Sequence, residues 1–347
     1  MQPIDHFKVI KQAWEEFDDR HKIKRIYDVS AHVSTNQVYR VYFFNRNPVY
    51  AKLSDYGNFE HFKEDHIAIN NLANNIEAPY ENFLARSLVK KNELFIYKYY
   101  QNDRSAWVVF YNPLKINRMM PRRLEEFQIK KLGRELARFH KACVNVSNQL
   151  PSASKSMETD IYQLIKNLRD NKLDLNEENK SVVLRQCDIF LKNIEWINSM
   201  AKIEIMPVFV DWNIGNFSVT SEGRFFSRWD YDWFRQSSRV VDFYFFSRVV
   251  SNIGDRTVFS YLIDPLMEER FMMFLKDYHQ IYPLTEQEIR LIGEAYRFFI
   301  LNYVIKDGSF FFRESYAQKL RKEAFEVYFN AIDTHYHVEK LLKALKL

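Results

Sequence analysis

Apolar and polar positions alternate along the first hundred residues in short runs. KRIYDVS (24–30), QVYRVYFF (37–44) and PVYAKLS (48–54) are rich in Val, Tyr and Phe, and the RNP at 46–48 marks a turn between the last two. The period then lengthens. GNFEHFKEDHIAINNLANN (57–75) sets Phe62, Ile69 and Leu72 on one helical side. LARSLVKKNELFIYKYY (84–100) returns to strand alternation around the turn KKNE. Beyond residue 100 the helical period dominates. In RRLEEFQIKKLGRELARFHKAC, Ile129, Leu132, Leu136, Phe139 and Cys143 recur at steps of three and four. DIYQLIKNL, VVLRQCDIFLKNIEWINSM, EQEIRLIGEAYRFFILNYVI and KLRKEAFEVYFNAI also read as helices. The pattern predicts an α+β chain in two parts: a small unit over residues 1–100, of strands plus one helix, and a large, mainly helical unit over 101–347. A ligand site between two such lobes is a common arrangement.

Composition narrows the class. The 347 residues are 47% hydrophobic and 27% charged, as in globular proteins, and only 7 are Gly, so no flexible linker is expected. The net charge of +5 is spread along the chain. The densest cluster, Arg118, Arg122, Arg123, Lys130 and Lys131, is mixed with Glu125 and Glu126 and reads as a solvated helix face, so no nucleic-acid partner is expected. Cys143 and Cys187 have no metal-ligand spacing and read as buried thiols of a reducing compartment. MQPIDHFKVIKQAWEEF has no signal-peptide core and no apolar run reaches about 18 residues, so a cytoplasmic protein without a membrane span is expected.

One stretch breaks the apolar rule. In VFVDWNIGNF (208–217), Asp211 stands inside an apolar run, Asn216 follows five positions later, and RFFSRWDYDW (224–233) then brings Asp230 and Asp232. Phosphoryl transfer needs a carboxylate to orient the attacking hydroxyl, oxygen ligands for Mg2+ and a cation on the phosphates. Mg2+ takes few protein ligands, commonly one or two beside phosphates and water. Asp, Asn and Asp in this order supply such a set.

These residues resemble the catalytic and metal-binding loops of the aminoglycoside phosphotransferase and choline kinase-like small-molecule kinases, relatives of the protein kinases. The family's H-x-D-x-x-x-x-N is met by Asp211 and Asn216, its metal-binding acid by Asp230, its D-L-A acid by Asp242 in RVVDFYFF, and its L-G-x-x-L-A-x-L-H helix by LGRELARFH, ending at His140. In VYAKL, Lys52 matches the phosphate-contacting lysine, and the following helix offers Glu60 or Glu64 as its ion-pair partner, with Glu64 preferred. LFIYKYYQND matches the crossing between lobes, where backbone near Lys98 to Tyr100 would bond adenine. The resemblance implies a two-lobed protein kinase-like fold, ATP or GTP as donor with Mg2+, and a small-molecule hydroxyl as acceptor. Asp211 would be catalytic, Lys52, Glu64, Lys98 and Tyr100 would bind the nucleotide, and Asn216 and Asp230 would bind the metal. Asp232 is a second candidate metal ligand; Asp242 and His140 read as structural. Two departures mark the chain. Phe209 stands where the family carries histidine, and DVSAHVSTNQVYRV lacks glycine, leaving the amides around Ser34, Thr35 and Asn36 to approach phosphates. Both departures leave open a nucleotide-binding pseudokinase that has lost turnover.

Overall fold

The structure is a computed structural model that describes residues 4–31, 35, 37–101, 104–255 and 259–347. The chain opens with helix α1 (His6–Phe17), followed by strands β1 (Ile23–Asp28), β2 (Gln37–Phe43) and β3 (Val49–Ser54), helix α2 (Phe59–Asn75), the two-residue strands β4 (Val89–Lys90) and β5 (Glu93–Leu94), and strands β6 (Ile96–Gln101) and β7 (Arg104–Tyr111). Five of these form one antiparallel sheet in the order β1-β2-β3-β7-β6. Its two faces follow from the period of two along each strand. Ala51, Leu53, Val108 and Phe110 face α1, whose Trp14 ring lies 4.3 Å from Phe43 and 5.2 Å from Phe110. Val109 and Tyr111 face α2, whose Phe62 ring lies 5.8 Å from Trp107.

Two expectations change here. The small lobe has two helices, because Val9, Ile10, Ala13 and Trp14 form an apolar stripe that covers the sheet face away from α2. The boundary expected near residue 100 falls inside a hairpin. Gln101 of β6 pairs with Arg104 of β7, Asn102 and Asp103 between them lying outside the described residues; the sheet continues to Tyr111, and the chain crosses to the large lobe through the segment after it. A polar cluster between two β-rich runs signals a hairpin turn as readily as a lobe boundary.

The large lobe is built on α3 (Glu126–Ser147), α4 (Met157–Arg169) and α5 (Glu177–Met200). Ile129, Leu132, Leu136, Phe139 and Cys143 of α3 are all buried, as their spacing predicts, and Cys187 is buried too. Short strands β8 (Met206–Val208), β9 (Phe217–Val219), β10 (Phe225–Arg228) and β11 (Arg235–Ser237) come next, then α6 (Phe243–Val250), α7 (Glu269–Ile281) and α8 (Glu286–Phe299). A π-helical stretch, Ile300–Lys306, leads to short helices that end at Leu345. α3 lies against α7 so closely that a Cβ at Gly133 would meet the Phe274 carbonyl oxygen at 2.4 Å, so only glycine fits there. Among the described residues, no helix is long and apolar enough to cross a membrane.

Candidate active site

Two small ladders bring the polar residues of the 208–233 stretch together. β8 pairs with β11, Val208 opposite Arg235, and β9 pairs with β10. The loop that leaves β8 carries Asp211 and Asn216, and the loop that leaves β10 carries Asp230 and Asp232. The Trp229 amide donates to the Asn216 carbonyl at 3.0 Å and joins the two loops directly.

Both loops hold a non-glycine residue in the left-handed region: Val210 at φ +59° and Asp230 at φ +70°. For a β-branched residue this conformation is costly and persists only where the surroundings impose it. The buried Asp242 does so, accepting hydrogen bonds on Oδ1 from the amides of Phe209 (2.9 Å) and Val210 (2.7 Å). Its Oδ2 lies 3.0 Å from Nε2 of the buried His140, whose Nδ1 lies 2.7 Å from the Tyr278 hydroxyl. The carboxylate can only accept, so Nε2–H donates to it, and the Tyr278 hydroxyl donates to the unprotonated Nδ1. Further along the loop, the Ile214 amide donates to Asp255 at 2.9 Å. Beneath it, the fully buried Arg228 donates to the Asp211 carbonyl at 2.8 Å, its guanidinium 4.7 Å from the centre of the Phe209 ring and 4.3 Å from that of Trp212. Phe209 is itself fully buried, touching Phe139, Trp212, Tyr231 and Phe234, so the family's histidine is replaced by aromatic packing over a buried cation.

The Asp211 carboxylate is held at both oxygens. Oδ1 accepts from the amide (3.2 Å) and Nδ2 (2.5 Å) of Asn213, and Oδ2 accepts from Nδ2 of Asn216 at 3.0 Å. Burial, then the Asp230 charge, push its pKa up to about 7, while the Asn213 amide and Arg228 oppose this. Lys52 comes from β3 in the other lobe. Its ammonium meets the Asp232 carboxylate and lies 3.5 Å from Asp230, and burial pushes its pKa down against the Asp230 charge. Asp230 keeps 41% of its side chain exposed, so its carboxylate also opens to solvent.

Of the residues singled out in the sequence, Lys52, Asp211, Asn216 and Asp230 converge, with Asp232 beside them. Glu64 does not join them: its Oε2 accepts from the Ser154 hydroxyl (2.6 Å) and amide (3.2 Å). Neither do Lys98 and Tyr100, which lie on the edge strand β6, opposite Trp107 and Ser105; Tyr100 is 66% exposed and Lys98 sits 4.0 Å over the Phe59 ring. Ser34 and Asn36 lie outside the described residues, while the Thr35 amide donates across the lobes to the Phe311 carbonyl at 3.3 Å. Among the described residues no group of three His, Cys, Asp or Glu could hold a metal ion. A cation at Asp230 would draw on the Asn216 amide oxygen and on ligand phosphates, which suits a hard ion with few protein ligands. The fit comes from donor chemistry. A groove of about 920 Å3 lined by Pro79, Asn82, Leu114 and Glu222 includes none of these residues.

Sequence reasoning passed over Arg228 and Asp255. Arg228 carried a signal, a lone cation in the apolar run RFFSRW; Asp255 carried none, since SNIGDR reads as an ordinary polar turn.

No protein-family model matches the sequence, and no curated protein matches it. The fold does have solved counterparts. An amicoumacin kinase in complex with AMP-PNP, Ca2+ and its antibiotic superposes with a TM-score of 0.66 at 14% identity, over 96% of this chain and 95% of that one. A microcompartment-associated aminopropanol kinase gives 0.59 at 15% identity, over 92% and 98%. The GDP complex of an aminoglycoside 2'-phosphotransferase gives 0.56 at 10% identity, over 96% and 100%. The chain therefore has the two-lobed fold of the protein kinase-like small-molecule kinases over nearly its whole length.

Proposed function

We propose that the chain transfers the γ-phosphoryl group of ATP to a hydroxyl of a small molecule, with Asp211 as catalytic residue. The observation that carries this reading is the convergence of Asp211, Asn216, Asp230 and Lys52 from two lobes onto one polar cluster, in the fold of proteins named as kinases of amicoumacin and aminopropanol. The Asp211 carboxylate is oriented by Asn213 and Asn216 and is poised near neutral pH, which suits a group that takes the acceptor's hydroxyl proton as its oxygen bonds to the γ-phosphorus. Lys52 would leave the acids to contact the phosphates. Asp230 and the Asn216 amide oxygen would hold Mg2+, which when bound neutralises charge on the phosphates and the leaving ADP. The rigid loop supplies position rather than covalent chemistry. The chain carries both Asp211 and Lys52, which supports turnover over a pseudokinase, and cytoplasmic ATP would be the donor. The test is ADP release from ATP and Mg2+ across a panel of amino alcohols, sugars, nucleosides and hydroxylated antibiotics. Acceptor-dependent release supports the reading; none with any acceptor contradicts it.

A further inference from the structure

Lys52 stands opposite Val109 in the β3–β7 ladder, so it shares a sheet face with Trp107 and Tyr111. That face is covered by α2. Phe59 and Phe62 pack on Trp107, and the His66 ring lies 4.0 Å from Phe62 and 6.1 Å from Tyr111. In this family resemblance the lysine's partner on the helix is a carboxylate, but of the three acids of α2 Glu60 is exposed in the first turn and the other two are engaged elsewhere. Glu64 bonds Ser154, and Asp65 pairs with Lys155 at 2.5 Å, both on the segment that leads into α4. The α2 side chain left over the Lys52 face is His66.

His66 is 4% exposed. Its Nδ1 lies 2.8 Å from the Phe62 carbonyl oxygen, which can only accept, so Nδ1 carries the proton and Nε2 is a bare acceptor. That Nε2 is buried and has no partner among the described residues. A buried acceptor left unpaired is costly and calls for an explanation. The imidazole is neutral: burial first, then the charges of Lys52 and Lys155, bring its pKa to about 3. A neutral ring with an unpaired lone pair thus covers the same sheet face as a buried ammonium, whose charge it feels and whose present partners, Asp232 and Asp230, belong to the other lobe.

Resting on the kinase reading, we infer that His66 is a positioning residue for Lys52: when nucleotide and metal engage the Asp230 hairpin, the lysine donates one hydrogen bond to His66 Nε2 and turns the others to the phosphates. Unlike a glutamate, a neutral acceptor fixes the direction of the ammonium while leaving its whole charge for the nucleotide. Glu64 and Asp65 then serve a second purpose, tying α2 to the large lobe so that His66 keeps its place.

The full-length chain tests this with ATP and Mg2+, read by nucleotide-induced thermal shift and by isothermal titration, which need no acceptor. His66→Phe keeps an aromatic ring and removes the acceptor; His66→Gln places an amide oxygen near the Nε2 position. The expected result is ATP binding weakened about tenfold in His66→Phe, the scale of one hydrogen bond to a charged group, and restored to within about threefold in His66→Gln, with both nucleotide-free variants melting alike. Equal ATP affinity in wild type and His66→Phe overturns the inference and leaves the kinase reading standing. Weakening that follows the melting temperature, with Gln no better than Phe, overturns it as well. A wild type that binds no ATP overturns the kinase reading, and the inference with it.

Discussion

The two sides of the cleft are held in opposite ways. On the large-lobe side, the loop from Phe209 to Asn216 is tied by Asp242, His140, Asp255 and Arg228, all buried and all outside the loop itself. On the small-lobe side, Lys52 has no partner from its own lobe among the described charged residues; its ammonium rests on Asp232 and Asp230. One side is fixed before any ligand arrives, and the other is held by contacts that a nucleotide and a metal would have to replace. On the proposed kinase reading, the site is preorganised where the acceptor's proton would be taken, and exchangeable where phosphates would enter.

The comparison breaks most visibly at the packed side. Phe209→Ala opens a cavity among four aromatic rings and uncovers the Arg228 guanidinium. Truncation of a buried Phe costs about 3–5 kcal/mol, so chemical denaturation should show a loss of that size. A loss below about 1 kcal/mol would mean that the loop does not depend on this packing.

A smaller effect concerns Asp211. Its raised pKa means that between the ordinary carboxylate range and about 7 the folded chain binds the proton more tightly than the unfolded one. Stability from this group is present at low pH and is lost as pH rises through that window. Asp211→Asn does not titrate there, so the nucleotide-free variant should gain melting temperature over wild type at pH 8 relative to pH 5, on the order of 2–4 °C for the roughly 2–3 kcal/mol that such a shift implies. The same difference at both pH values would show that the carboxylate is not perturbed.

The smallest effect belongs to the small-lobe side. Glu64 bonds Ser154 and does not reach Lys52, so Glu64→Ala should cost under about 1 kcal/mol and change the KM for ATP less than threefold, as for a surface contact. A tenfold rise in KM would restore Glu64 as the lysine's partner.

The sharpness of these contrasts tracks what was legible in the sequence. Asp211, Asn216 and Asp230 could be read because their spacing follows one loop and one hairpin, and Lys52 because it sits on a strand whose pattern is plain. The partner on α2 could not. Glu64 and His66 are two residues apart on a helix, about 200° around its axis, and which of them faces Lys52 depends on how α2 docks on Trp107 and Tyr111. Lys98 and Tyr100 lie on β6, inside the sheet, because strand alternation such as LFIYKYY reads the same within a hairpin as before a crossing between lobes. The stripe Val9, Ile10, Ala13 and Trp14 was visible in the sequence, but only the uncovered sheet face gives it a purpose. Asp242 and His140, 102 positions apart, are joined by folding alone.

The central claim is that Asp211, locked by the large lobe, directs the γ-phosphoryl group to an acceptor hydroxyl. The direct measurement is 31P NMR of ATP, Mg2+ and an acceptor found by ADP release, with wild type and Asp211→Asn in parallel. The account predicts a new phosphomonoester signal on the acceptor with wild type, and formation slowed at least a thousandfold in Asp211→Asn, which still binds ATP. Ester formation by Asp211→Asn within tenfold of wild type, or inorganic phosphate as the sole product of wild type, would contradict it.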